Sequence, residues 1–184
     1  MAFSVLFVCT GNICRSPLAE RLLRARVADR APVVAASAGI RGLPEHPIDG
    51  SCALALRELG GDPGGHVSRR LSQQLIAGAD LILTAETAHL SEIVQSEPLA
   101  FRRVFTMREF GRLGSGLVAL PPTPAVLRTR VVEIGARRGS APPAGSDEDD
   151  IADPFGASLR VVRACARQIA EAVDECLLAL GLAP

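Results

Sequence analysis

The chain contains no lysine, no tyrosine and no tryptophan, and only 3% of its residues are aromatic, so few rings are available to wall a binding pocket. Its 20 acidic side chains are balanced by 20 basic ones, all arginine, which leaves no net charge at neutral pH. A balanced charge without a Lys/Arg-rich run excludes a broad basic surface for nucleic acid. Long apolar runs are missing too. Stretches such as Val5–Val8 fall far short of the roughly 18 residues of a membrane span, which excludes an integral membrane protein. No positive region precedes the first apolar run, and that run ends in Cys9-Thr10-Gly11-Asn12 rather than a small-residue cleavage site; it does not read as a secretory signal. Cysteine is sparse: Cys9, Cys14, Cys52, Cys165 and Cys176 are odd in number and lack the short paired spacings of a zinc site. A secreted disulfide scaffold is shorter and denser in cysteine. The chain therefore reads as reduced and cytoplasmic, and Cys52, Cys165 and Cys176 read as small buried hydrophobes.

What is present fits one domain. At 184 residues and 48% hydrophobic content, the chain can bury about two thirds of its unfolded surface, and disorder of the whole is excluded. Phe3–Cys9 is a short apolar, β-branched run that predicts a buried strand, followed by a helix with Ser16 as N-cap and Pro17 at its first position. Val33–Ser37, Ala79–Thr84 and Arg102–Thr106 predict three further strands. Helices are expected near Asp49–Leu59, Ala88–Gln95 and Ala125–Arg137, just after the fourth strand, and over Ser158–Leu180. Ser140–Asp150, small, acidic and proline-bearing, reads as a mobile loop. Strand–helix alternation implies an α/β fold of three layers, a four-stranded parallel sheet flanked by helices on both faces. No repeat or second domain is visible, and residues 1–184 read as one unit.

The chemistry concentrates in Cys9-Thr10-Gly11-Asn12-Ile13-Cys14-Arg15-Ser16-Pro17, between the end of the first strand and the start of the first helix. Such a junction aims backbone N–H groups and the positive end of a helix dipole at one point, which suits a tetrahedral oxyanion. Gly11 allows a turn with positive φ, and Asn12 tolerates left-handed geometry best among the other residues. Arg15, six residues after Cys9, can fork two hydrogen bonds onto a phosphate. The same field favours thiolate over thiol at Cys9, and Ser16 adds a hydroxyl donor to the sulfur.

This segment resembles the opening of the low-molecular-weight protein tyrosine phosphatases, whose signature is Cys-x5-Arg-Ser after the first strand. Ala19-Glu20, Ser37-Ala38-Gly39, His66-Val67-Ser68-Arg69, Asp80–Thr84 and Asp153-Pro154-Phe155-Gly156 resemble further markers of the family. The likeness covers about 1–110 and 150–180, interrupted by an unmatched insertion at about 111–149. The resemblance implies a phosphatase that needs no metal or cofactor. Cys9 attacks phosphorus; the amides of Thr10, Gly11, Asn12, Ile13, Cys14, Arg15 and Ser16 with the Arg15 guanidinium hold the oxygens. Asp153 is the general acid, then the base. It also implies that Asn12, Ser16, Ser37 and His66 support the loop, and that Cys14 is a redox partner of Cys9. His66 reads as a structural hydrogen-bonder; His46 and His89 read as exposed, with no role.

Relatives similar to protein arginine phosphatases carry threonine at the loop position held here by Ile13, whereas isoleucine resembles the tyrosine-directed members. Ile13, Leu43 and Phe155 are expected to wall the pocket, and the implied substrate is a phosphotyrosine-bearing protein. The arginine-only, alanine-rich composition fits a GC-rich bacterial genome, which points to an autophosphorylated bacterial tyrosine kinase as partner. Neither nucleic acid nor membrane is expected as a partner. Two other enzymes share the loop: the arginine phosphatases, and thiol-dependent arsenate reductases, which need two further cysteines after the third strand. Residues 84–98 contain none. A non-enzymatic phosphate-sensing module is the remaining alternative.

Overall fold

All residues of Phe3–Cys9 except Ser4 are apolar and buried, the signature of a strand covered on both faces. In the computed structural model, which describes residues 1–28, 32–119, 121–140 and 148–183, this strand (β1) lies inside a four-stranded parallel sheet of order β2-β1-β3-β4. Its partners are β2 (Val33–Gly39) and β3 (Leu81–Thr84), and β4 (Val104–Thr106) forms the far edge. Successive side chains of a strand point to opposite faces. Phe3, Val5, Phe7 and Cys9 therefore enter the larger core, and Leu6 and Val8 the smaller one. That alternation puts Cys9 at the carboxyl end of the central strand, on the side of the larger core.

Helices α1 (Arg15–Val27), α2 (Gly50–Glu58), α5 (Met107–Gly114), α6 (Pro124–Ala136) and α7 (Leu159–Ala179) cover the larger core. Helices α3 (Gln73–Gly78) and α4 (Thr87–Ser96) contribute Ile76 and Ile93 to the smaller one. The three-layer expectation is met. In α7 the buried residues Val162, Cys165, Ala166, Ile169, Val173, Cys176 and Leu177 recur at helical spacing and form the apolar stripe.

Two local expectations change. The fourth strand is shorter than Arg102–Thr106, because Arg102 and Arg103 finish a 3-10 turn that starts at Pro98, and pairing with β3 begins only at Ile82–Val104. Helix α3 escapes periodicity because six residues make fewer than two turns. Its one signal is Ser72, whose hydroxyl accepts from the Leu75 N–H.

The stretch 111–149 builds into the body of the fold. Leu127, Val131 and Ile134 of α6 are buried in the larger core. Arg138 stacks its guanidinium over Phe105 at 4.0 Å, pairs with Glu109 at 2.7 Å, and donates to the carbonyls of Phe101 and Val104. It thus covers the edge strand β4, where unpaired carbonyls are a liability. Residues 141–147, within the stretch read as a mobile loop, lie outside the described residues.

Gly39 ends β2 in tight contact with the segment after Cys9. A Cβ there would lie 2.6 Å from the Thr10 carbonyl oxygen and 2.9 Å from the Asn12 nitrogen, both backbone atoms that cannot step aside. Gly39→Ala should destabilise the protein by about 1–3 kcal/mol, the usual cost of overpacking, and lower the thermal midpoint. An unchanged midpoint would show that the contact yields freely.

Candidate active site

Residues Thr10–Cys14 form the loop between β1 and α1, and every carbonyl from Cys9 to Cys14 is turned outward to a donor. Ile40 N–H donates to Cys9 at 2.9 Å, Arg41 to Thr10 at 2.9 Å and Leu43 to Gly11 at 3.2 Å. His66 Nε2 donates to Asn12 at 2.9 Å, Asp49 N–H to Ile13 at 2.8 Å, and Leu18 N–H to Cys14 at 3.0 Å. A planar trans peptide points its N–H opposite to its C=O. The amides of the loop are therefore directed to its inner side, and those of Thr10–Cys14 have no hydrogen-bond partner among the described residues. Successive free amides facing one concavity form an anion nest.

Asn12 fixes this shape. It is the loop residue with positive φ, 57°, whereas Gly11, expected to supply that conformation, does not. The fully buried Asn12 side chain donates to Ser16 Oγ at 3.0 Å and to Ser37 Oγ at 2.9 Å, and its Oδ1 accepts from the Arg69 N–H at 2.9 Å. Ser37 in turn donates to Glu20 at 2.6 Å, a charge-assisted bond that orients the whole chain of donors. Asn12, Ser16, Ser37 and His66 are thus brought together. Glu20, which sequence reasoning left without a role, terminates their network.

Ser16 does not cap α1. Cys14 occupies the cap position, and Ser16 lies inside the first turn with its Oγ 3.0 Å from Cys9 Sγ and 3.2 Å from the Ala38 carbonyl oxygen. The helix begins two residues earlier than expected, at Arg15, so Ser16 is already inside it and its hydroxyl is shared between the Cys9 sulfur and the Ala38 carbonyl. Pro17 sits at the third helical position, still among the first N–H groups that a helix leaves unpaired.

Arg15 is almost fully buried, yet its guanidinium reaches four partners. Nη1 pairs with Glu86 and donates to the Ile151 carbonyl at 2.9 Å; Nη2 pairs with Asp153 at 2.8 Å and reaches Thr10 Oγ1 at 3.4 Å. Asp153 is half-exposed and comes from a segment docked by three bonds. Asp150 accepts from the Thr87 N–H and hydroxyl at 2.7 and 2.8 Å, capping α4, and the Ile151 N–H donates to Ala85 at 2.8 Å. The sheet thus carries Cys9, Arg15 and Asp153 to one end. There they line a cavity of about 210 Å³ with Thr10, Gly11, Ile13, Cys14, Arg41, Leu43 and Phe155. A larger groove of about 750 Å³, between the C-terminal ends of α5 and α7, is lined by no cysteine and no histidine among the described residues.

Three expectations are corrected. His89 is buried, not exposed: its Nε2 lies 2.9 Å from Thr10 Oγ1 and 3.9 Å from Glu86 Oε2, and its Nδ1 has no partner. Cys52 is not simply packing, and Cys14 does not stand ready for Cys9, because Cys14 and Cys52 form a disulfide. The two are brought together where Asp49, which caps α2, also holds Ile13. Cys9, Cys165 and Cys176 are the free thiols. Burial pushes Cys165 up to about 11 and Cys176 higher still, so both stay protonated. Glu86 and His89 were missed because a lone Glu and a lone His carry no motif. Their signal was place, immediately after a parallel strand that neighbours the loop.

Burial also lowers the pKa of His66 and of His89, against the opposing effects of the Asn12 carbonyl on His66 and of Glu86 on His89. Both bind a proton less readily in the folded than in the unfolded protein. Stability is therefore full above about pH 6.5 and falls below it, by up to about 1.4 kcal/mol per pH unit for each such histidine. The thermal midpoint should drop between pH 7.5 and 5.5, and His89→Gln should flatten the slope. A midpoint independent of pH in the parent protein would contradict this.

Comparison with known proteins follows the same lines. Residues 4–116 match the sequence model of the family described as low molecular weight phosphotyrosine protein phosphatase. The low molecular weight protein-tyrosine-phosphatase Etp of Escherichia coli K12 is 42% identical over 95 residues, which span 52% of this chain and 62% of Etp, less than two thirds of that relative. A protein-arginine-phosphatase of Geobacillus stearothermophilus is 28% identical over 174 residues, 95% of this chain and 93% of its own length. Among solved structures, a low molecular weight protein tyrosine phosphatase from T. tengcongensis aligns with TM-score 0.72 and 27% identity over 96% of this chain and 99% of its own. The YwlE arginine phosphatase from Geobacillus stearothermophilus aligns with TM-score 0.70 and 29% identity over 96% of this chain and 90% of its own. On its family match, its sheet order and its Cys-x5-Arg loop, this chain belongs to the low molecular weight phosphotyrosine protein phosphatase family.

Proposed function

We propose that this chain is a cysteine-dependent protein tyrosine phosphatase, one domain over residues 1–184, working through a phosphocysteine. The observation that carries the proposal is the ring of six outward carbonyls beneath Cys9, which leaves the loop amides aimed at one point. Phosphoryl transfer places its charge on the phosphoryl oxygens, and preorganised donors meet that charge without reorganising.

The Cys9 thiolate, held by the Ser16 hydroxyl, attacks phosphorus. An S–P bond forms while the P–O bond to the phenolate breaks. The loop amides and Arg15 bind the non-bridging oxygens. Arg15 already pairs with Asp153 at 2.8 Å; a phosphate dianion competes for the same Nη2 edge and frees the carboxylate, which takes up a proton from water and passes it to the leaving oxygen. Asp153 then takes a proton from water as that water attacks phosphorus, and the S–P bond breaks to return the thiolate. Every atom in the cycle comes from the chain, the substrate or water.

Ile13, Leu43 and Phe155 line the mouth of the cavity, and their apolar surfaces suit a phenyl ring better than a hydrated guanidinium. Leu43 and Phe155 are both well exposed, so the wall is thin and protein docking supplies part of the affinity. The substrate we infer is a phosphotyrosine-bearing protein, such as an autophosphorylated bacterial tyrosine kinase, in the cytoplasm. None of the described helices is long and apolar enough to cross a membrane. A second reading, phosphoarginine, is favoured by the near full-length likeness to arginine phosphatases.

Turnover of p-nitrophenyl phosphate without added metal should be abolished by Cys9→Ser; unchanged turnover would refute the nucleophile. Asp153→Asn should lose roughly 10²–10⁴-fold on phosphotyrosine peptides and much less on substrates with good leaving groups. Equal losses would place the acid elsewhere. In a panel of phosphopeptides, faster hydrolysis of phosphoarginine than of phosphotyrosine would replace the first reading with the second.

A further inference from the structure

The position of Cys14 has a use beyond shaping the loop. It faces the cavity together with Cys9, while its sulfur is bonded behind the loop to Cys52. Cys52 is buried at the third position of α2, in the first turn of that helix. Asp49 fixes the spacing: its side chain accepts from the Ser51 and Cys52 N–H groups, and its own N–H donates to Ile13, the residue before Cys14. Cys14 thus shares one cavity lining with Cys9 and one disulfide with Cys52. The other free thiols are out of play. Cys165 points its thiol at the Ala152 carbonyl and Cys176 at the Met107 carbonyl, and burial keeps both protonated.

Resting on the assignment of Cys9 as nucleophile, we propose that Cys9, Cys14 and Cys52 form a disulfide relay that returns an oxidised nucleophile to its active thiolate. In the reduced protein, the Cys9 thiolate attacks hydrogen peroxide, breaks the O–O bond and becomes a sulfenic acid with release of hydroxide. The Cys14 thiol attacks the sulfenic sulfur; a Cys9–Cys14 disulfide forms and water leaves with the thiol proton. The Cys52 thiol then gives its proton to the released hydroxide and attacks Cys14 Sγ, the Cys9–Cys14 bond breaks, and Cys9 leaves as thiolate. In sum one peroxide is reduced to two waters and the Cys14 and Cys52 thiols are oxidised to the disulfide seen here, with Cys9 free. The relay works once per reduction. With Cys14 already bonded to Cys52, a second peroxide leaves the Cys9 sulfenic acid without a resolving thiol and open to irreversible oxidation. A thiol reductant resets it.

The test uses the full chain, reduced and desalted, with one equivalent of hydrogen peroxide. Disulfides are mapped by mass spectrometry after alkylation at successive times, beside turnover of p-nitrophenyl phosphate. The parent protein should pass through Cys9–Cys14, end as Cys14–Cys52 and retain most of its turnover without added thiol. Cys52→Ser should stop at Cys9–Cys14 and lose turnover until thiol is supplied. A parent protein that ends as Cys9–Cys14, or with Cys9 over-oxidised, would overturn the relay, as would a Cys52→Ser protein that keeps its turnover. If the variant melts early, the time course of the parent protein alone decides. Absence of turnover in the untreated, reduced parent protein would instead refute the nucleophile, so the two failures are distinct.

Discussion

Six carbonyls pulled outward hold this site open. An anion nest is an unfavourable conformation by itself, because its amides repel one another and its carbonyls must find donors elsewhere. Here four donors come from one continuous stretch, Ile40 to Asp49, one from His66, and one from Leu18 in the first turn of α1. The left-handed Asn12 is tolerated because its side chain and its backbone are both pinned. The wrapping stretch in turn leans on Gly39, the point where two backbones come within contact of each other. Much of the molecule between β2 and α3 exists, in physical terms, to keep six oxygens facing away from the substrate.

Charge is managed with the same economy. The chain is neutral overall, and a local field is enough: Arg15 is buried between two carboxylates. Glu86 holds it from the sheet side and Asp153 from the mouth. The first is a fixed partner, whereas the second is half-exposed on a segment anchored only by Asp150 and Ile151. That asymmetry leaves Asp153 the more accessible of the two partners of Arg15.

The loop was legible because its chemistry is local: nucleophile, turn residues, arginine and helix start lie within nine consecutive positions. Asp153 was legible only through a resemblance, since Asp-Pro alone is an ordinary turn. Glu20, Glu86 and His89 were not legible, because each acquires its role from a neighbour brought in by the sheet order. The pairing of Cys14 with Cys52 is of the same kind, set by the approach of α2 to α1. Strand periodicity gave β1 outright and placed the others within two residues; β3 and β4 each begin two residues later than expected, β4 because the two arginines before Val104 belong to a 3-10 turn.

The contact between Arg15 and the segment after Asp150 bridges 136 positions of the chain. Its consequence concerns how the two parts of the site are distributed along the chain. The donors to the six loop carbonyls and to the Asn12 side chain all lie at or before Arg69. Asp153 comes late, with α7 behind it. A chain cut before Ile151 would therefore still carry every donor to those carbonyls, yet would lack two of the four partners of Arg15.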